Sequence, residues 1–177
     1  AVAGDALLVT ETNADGKEVW LSGPGEIAIK GPQVMHGYWE RPDETAKSMT
    51  ADDYFKSGDI GVMDERGYFK IVDRKKDMII TGGENVYPAE IEKVLNEHPS
   101  VLESSSIGIP HPVWGEAIAA IVVLKPGKKA TDQEIIQYCK GKIAGYKVPK
   151  IVYILAEMPR NSAGKISKPE LRKQFSH

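Results

Sequence analysis

The rhythm of hydrophobic and polar positions changes partway along the chain. Residues 1–75 alternate over short runs separated by Gly, Pro, Asn and Asp. In GEIAIKG, Ile27 and Ile29 fall on one face, and Glu26 and Lys30 stand near the glycine ends. That pattern predicts a strand. IGVM and YFKIV flank DERG and predict a hairpin turning at 64–67. PDETAKSM alone suggests a helix. Short strands with no long helix to cover them make a poor independent core.

Beyond residue 75 the periods lengthen. MII predicts a short strand and TGGENVYP a loop. Pro88 suits the first turn of a helix over PAEIEKVLNE, with Ile91, Val94 and Leu95 at helical spacing and His98-Pro99 as its end. SSSIGI and AIAAIVVL predict strands, the second unbroken in its apolar character and therefore buried. Thr131 and Glu134 form a capping box for a helix over DQEIIQYCKGKIA, whose Ile135, Ile136, Cys139 and Ile143 share a face. IVYILA predicts a further strand and KPELRKQF a last helix. The order β-α-β-β-α-β-α predicts a compact α+β domain over residues 76–177, preceded by the β-rich segment 1–75. The boundary falls in VDRKKD, 72–77.

Composition narrows the picture. With 177 residues, 41% hydrophobic and 27% charged, the chain reads as a soluble globular protein. A formal net charge of −2 makes no general case for nucleic acid. The lysines of KGKIAGYKVPK have only Tyr146 among them for stacking, which argues the same way. Residues 1–75 carry 9 Lys and Arg against 14 Asp and Glu, whereas 76–177 carry 14 against 11. The mildly basic second half suits an anionic small molecule and equally an ordinary solvated surface. The one cysteine, Cys139, excludes an intrachain disulfide and a cysteine zinc cluster, and reads as a core residue in a cytoplasmic setting. No apolar run approaches about 18 residues, so no transmembrane segment is expected. No signal peptide opens the chain, and alanine at position 1 suggests a processed or excised piece.

Four stretches carry candidate chemistry. KSGD, 56–59, places Asp59 behind a glycine turn, where a carboxylate can accept two hydrogen bonds from a vicinal diol such as a ribose or merely stabilise the turn. VDRKKDMII, 72–80, sets Arg74, Lys75 and Lys76 between two acidic residues; Arg74 could reach the same ribose, or the run could be a charged linker. TGGENVYPAEIE, 81–92, has two glycines that let a backbone approach a ligand closely. PRNSAGK, 159–165, holds neither helix nor strand and ends on Lys165. Neither glycine stretch is a Walker A loop: no Gly-Lys-Ser/Thr run follows the first, and Ile166 stands where the second would need Ser or Thr.

In order and spacing, GEIAIKGPQVMHGYWERPDET, FKSGDIG, VDRKKDMIITGGENVYPAEIE and YKVPK…MPRNSAGKI resemble the C-terminal part of the adenylate-forming superfamily, which comprises acyl-CoA synthetases, firefly-type luciferases and peptide-synthetase adenylation domains. The resemblance runs from Gly23 to Phe175. It implies that Asp59 binds the ribose hydroxyls of ATP and AMP and that Arg74 supports the ribose. It implies that Lys76 is the hinge about which a small domain rotates, and that Gly83 lines the passage for the pantetheine arm of CoA. Lys165 would be the catalytic lysine of adenylation, with no metal ligand in this chain.

The same resemblance places the phosphate loop, the adenine and Mg2+ site and the acyl pocket in an upstream large domain absent from this sequence. The 177 residues then read as a fragment, inactive alone: the last strands of the large domain, 1–75, and the small mobile domain, 76–177. The form of DRKKDMIITGGENVYPAEIE, 73–92, is nearer to fatty-acyl-CoA ligases than to amino-acid adenylation domains. An aryl or branched acid–CoA ligase, a fatty acyl-AMP ligase and a non-catalytic interaction domain descended from such enzymes stand as alternatives. His111 reads as a loop histidine, Trp20, Trp39 and Trp114 as packing or loop anchors, and Lys147 and Lys150 as solvated charges or contacts for CoA phosphates.

Overall fold

In the computed structural model the described residues are 5–9, in backbone only, together with 23–64, 66 and 68–176. Trp20 and two positions of the expected 64–67 turn lie outside them. The chain forms two compact units, Ala1–Lys76 and Asp77–His177.

The first unit is an antiparallel sheet of β1 (Asp5–Val9), β2 (Gly25–Lys30), β3 (Phe55–Met63) and β4 (Phe69–Arg74), in that order. Helix α1 (Pro42–Ser48) is PDETAKS. Its described core is small: Ile27, Ala28 and Ile60 are the buried hydrophobic side chains. Two expectations change here. KSGD is not a turn but lies inside β3, because β2 advances from Glu26 to Ala28 while β3 runs from Ile60 back to Lys56. The extra residues form a bulge around 57–59, a device that re-aims side chains within a sheet. Trp39 is 88% exposed rather than packed among the described residues.

The second unit begins with β5 (Ile79–Thr81) and β6 (Glu84–Val86), followed by α2 (Pro88–Asn96). Next come β7 (Val101–His111), β8 (Gly115–Leu124), α3 (Asp132–Cys139), β9 (Ile151–Leu155) and α4 (Lys168–Phe175). The α+β class expected from the sequence holds. TGGENVYP is a hairpin rather than a loop: Thr81 pairs with Glu84 across Gly82 and Gly83. Both glycines have positive φ, 60° and 84°. A two-residue turn with two positive φ values matches the right-handed twist of its strands, which is why glycine fills both positions.

Strand β8 organises this unit. It pairs antiparallel with β7 on one edge. On the other it meets β5 at Gly115 and runs parallel to β9 from Ala119 to Val123. The parallel pairing requires a crossover, which α3 supplies. Side chains on β8 alternate between two cores. Ile118, Ala120 and Val122 join Ile91, Val94, Leu95, Ile135 and Cys139. Ala117, Ala119, Ile121 and Val123 join Ile107, Ile109, Met158 and Leu171. Two covered faces explain why AIAAIVVL has no polar position.

The capping box of α3 is present, with the Glu134 amide donating to Thr131 Oγ1 at 3.2 Å and the Thr131 amide donating to Glu134 Oε2 at 2.7 Å. The helix stops at Cys139, short of KGKIA. Lys140 is extended and Gly141 has φ 79°, so Ile143 reaches the core from a turn. Leu95, fully buried beneath this layer, is expected to be costly to truncate. Leu95→Ala should destabilise the second unit by about 3 kcal/mol, read as a lowered urea midpoint with an unchanged slope.

Candidate active-site elements

Two ion pairs flank the bulge in β3. Asp59 stands directly across from Arg74 on β4, and Arg74 Nε lies 2.7 Å from Asp59 Oδ1. The side chains are 24% and 59% exposed, so the carboxylate is partly sheltered and the guanidinium open. The Asp59 amide donates to Ser57 Oγ at 3.1 Å. Glu26, which the sequence places near the glycine end of GEIAIKG, is buried. It accepts from Lys75 Nζ at 2.8 Å and from the Gly58 amide at 3.1 Å. A buried carboxylate needs such partners, and here they tie the bulge to the end of β4. Asp59 and Arg74 are thus brought together on neighbouring strands.

Lys75, Lys76 and Asp77 form one 3₁₀ turn, with Lys76 exposed. Asp77, the first residue of the second unit, is buried and accepts from Arg172 Nη2 on α4 at 2.9 Å.

Gly83 sits at the tip of the β5–β6 hairpin, and a Cβ there would meet nothing within 4 Å. The Gly82 amide donates to the Trp114 carbonyl at 2.9 Å. Trp114 stacks on His111 with ring centroids 4.1 Å apart. His111 is the last residue of β7 rather than a loop histidine, and its Nδ1 accepts from the amides of Val113 and Trp114. A cleft of about 330 Å³ opens among Thr81, Gly82, Glu84, Trp114, Tyr146 and Lys150. Lys150 lies over the Trp114 ring, 5.3 Å from its centroid. Lys147 is no solvated charge: its side chain is 18% exposed and 2.7 Å from Glu90 Oε2. The hydrogen bond to Glu90 raises the ammonium above the usual lysine range.

PRNSAGK is a closed loop between β9 and α4. Its ends meet in a bridge between Arg160 and Ile166, and the Ser167 amide donates to the Pro159 carbonyl at 2.8 Å. Inside, Asn161 Oδ1 accepts from the amides of Ala163 and Lys165, both at 3.0 Å. The Asn161 amide donates to the Lys165 carbonyl at 2.8 Å. Gly164 has φ 77°, a conformation that favours glycine. The backbone of Lys165 is therefore fixed while its side chain is exposed, and no ion pair engages its ammonium among the described residues.

Sequence reading missed Glu26, Glu103, Arg160 and Asp77 as organising residues. Glu103 and Arg160 pair across 57 positions, a separation that leaves no periodic trace.

Residues 90–165 match the AMP-binding enzyme C-terminal domain, and this part of the chain belongs to that domain family of adenylate-forming enzymes. Its curated relatives include a long-chain-fatty-acid–CoA ligase from Yersinia pestis, 50% identical over 158 residues, or 89% of this chain and 28% of that protein. A feruloyl-CoA synthase from an Amycolatopsis species is 47% identical over 151 residues, 85% of this chain and 30% of that one. Among solved structures, ATP-bound MatB from Rhodopseudomonas palustris superposes with a TM-score of 0.89 at 39% identity, over 98% of this chain and 34% of that chain. The chain thus spans under a third of the length of the curated relatives it matches. Among the described residues no helix is long and apolar enough to cross a membrane.

Proposed function

We propose that the chain is the C-terminal part of an ATP-dependent carboxylic acid–CoA ligase. Residues 1–75 are the last strands of its large domain and 76–177 its small mobile domain. The observation that carries this reading is the open ammonium of Lys165 on a fixed loop of an AMP-binding C-terminal domain. In the first half-reaction a carboxylate oxygen attacks the α-phosphorus of ATP, the bond to the bridging oxygen breaks, and pyrophosphate departs with its electrons. Two anions meet and charge grows on the leaving group. Lys165 stabilises that charge as a compact cation held at the α-phosphate. Asp59 accepts hydrogen bonds from the ribose hydroxyls of ATP and AMP, with Arg74 holding its carboxylate in place.

In the second half-reaction the thiol sulfur of CoA attacks the acyl carbon and AMP leaves. Rotation at Lys76 withdraws Lys165 and brings in the β5–β6 hairpin, where Gly83 leaves room for the pantetheine arm. This is a gating motion. Among the described residues no three His, Cys, Asp or Glu side chains gather to hold a metal. We assign Mg2+ to the upstream large domain, where the resemblance to adenylate-forming enzymes expects its ligands. The large domain of the same polypeptide is the partner this reading requires, no nucleic acid or membrane span enters it, and we place the enzyme in the cytoplasm.

Fatty acids are the acid class we favour, on the 50% identity to a long-chain ligase. An aryl acid is the second reading, since a feruloyl-CoA synthase stands close behind at 47%. ATP–pyrophosphate exchange by the full-length enzyme, with fatty, branched and aryl acids, separates them. Exchange with medium- or long-chain fatty acids supports the reading, and exchange with aryl acids alone replaces the substrate. No exchange with any acid would favour a non-catalytic domain. Thioester formation with CoA rather than a carrier protein distinguishes a CoA ligase from a fatty acyl-AMP ligase. The 177-residue chain alone is expected to give no exchange.

Lys76→Pro tests the hinge. Proline holds φ near −65° and should restrict rotation at this point. The expected result is one half-reaction slowed at least about tenfold more than the other; equal slowing of both would argue against a hinge.

A further inference from the structure

The peptide unit joining Gly164 to Lys165 is gripped at both polar ends by side chains. Its N–H donates to Asn161 Oδ1 at 3.0 Å. Its C=O accepts from Arg160 Nη1 at 3.0 Å. Arg160 is itself anchored: its Nη2 donates to Glu103 Oε2 on β7. Glu103 sits beside an irregularity of β7, where the pairing steps from Val101 to Glu103 against consecutive residues of β8. Leu102 is exposed there, and the Glu103 side chain is 25% exposed. A guanidinium is planar, with donors fixed in a fork, so one arm on Glu103 sets the direction of the other. The rotation of a peptide plane decides where the next Cα–Cβ bond points. The sheet thereby dictates the direction in which Lys165 leaves the loop.

We infer that Arg160, held by Glu103, is a positioning residue for the Lys165 ammonium in adenylation. Arg160 touches no reacting atom; it acts through the Gly164 carbonyl. This rests on the proposed role of Lys165. Because catalysis by a point charge depends on where the charge stands, a displacement of about 1 Å can slow a step about a hundredfold. The second half-reaction, which in this reading proceeds with Lys165 withdrawn, should not feel the change.

The test uses the full-length enzyme with Arg160→Met, Arg160→Lys, Glu103→Gln and Lys165→Ala. Two assays run in parallel: pyrophosphate exchange, and thioester formation from supplied acyl adenylate. Arg160→Met should lower the kcat of exchange about thirty- to a hundredfold with the KM for ATP within about twofold, and leave thioester formation within about twofold. Arg160→Lys, whose donors share one nitrogen in place of a planar fork, should fall between Arg160→Met and wild type. Thioester formation also reports folding; should Arg160→Met fail to fold, Glu103→Gln carries the same comparison. Loss of exchange in Lys165→Ala beside near-normal exchange in Arg160→Met would overturn the positioning role alone. So would equal loss of both half-reactions in a folded Arg160→Met or Glu103→Gln enzyme. Retained exchange in Lys165→Ala would overturn the reading of Lys165 itself and this inference with it.

Discussion

Lys165→Ala in the full-length enzyme is expected to lower adenylation about a hundred- to a thousandfold, the scale on which a single group stabilising transition-state charge acts. Thioester formation from a supplied acyl adenylate should stay near wild type. The side chain is exposed and its backbone contacts persist in alanine. Stability should therefore change by less than about 0.5 kcal/mol, and a thermal melt separates lost chemistry from lost fold. Equal loss in both half-reactions would remove the assigned role. Lys165→Arg is informative beside it: charge is kept, but a forked guanidinium replaces a compact ammonium, so recovery should be partial at most.

Asp59→Ala should raise the KM for ATP. A carboxylate accepting two hydrogen bonds from a ribose diol loses both on truncation. Hydrogen bonds to charged groups contribute about 1.5–3 kcal/mol each, so an increase of about tenfold to several hundredfold is expected when the effects fall short of additive. Arg74 would lose its partner, but its side chain is 59% exposed and water can take the place of the carboxylate. The stability cost should be below about 1 kcal/mol. A KM for ATP unchanged in Asp59→Ala, measured by exchange at saturating acid, would take Asp59 out of the nucleotide site.

The fold of the second unit was legible wherever one face or both faces of an element dictated its residues. AIAAIVVL announced a strand covered on both sides, and β8 carries one core on each. Thr131 and Glu134 marked the start of α3 by their chemistry alone. The end of α3 was misread because Ile143 continues the helical period, while Gly141 at φ 79° breaks the helix and returns Ile143 to the core by another path. KSGD was misread for a related reason. Ser, Gly and Asp are turn residues, yet a bulge inside a strand asks for the same conformational freedom. TGGENVYP hid a hairpin because a three-residue strand such as Glu84–Val86 is too short to show alternation.

The candidate site residues stood out through motif spacing, which points to individual positions but not to what holds them. Glu26 stood only as a residue near a glycine end, and the partner that its buried carboxylate needs, Lys75, lies 49 positions away. Arg160 and Glu103 join loop to sheet over 57 positions. Pairs of this kind are set by topology, and a single sequence carries no local signature of them.

The β5–β6 hairpin and the lysine loop belong to one unit, both built around β8. If each serves a different half-reaction from a different orientation of the unit, neither can be offered without withdrawing the other. The order of the two steps then needs no signal between the sites, because a single orientational equilibrium governs both. A substitution that biases this equilibrium by about 1.4 kcal/mol changes the ratio of the two orientations about tenfold. Its kinetic signature would be reciprocal: where each chemical step follows the population of its own orientation, the disfavoured step slows while the other holds or quickens, even with every reacting group untouched.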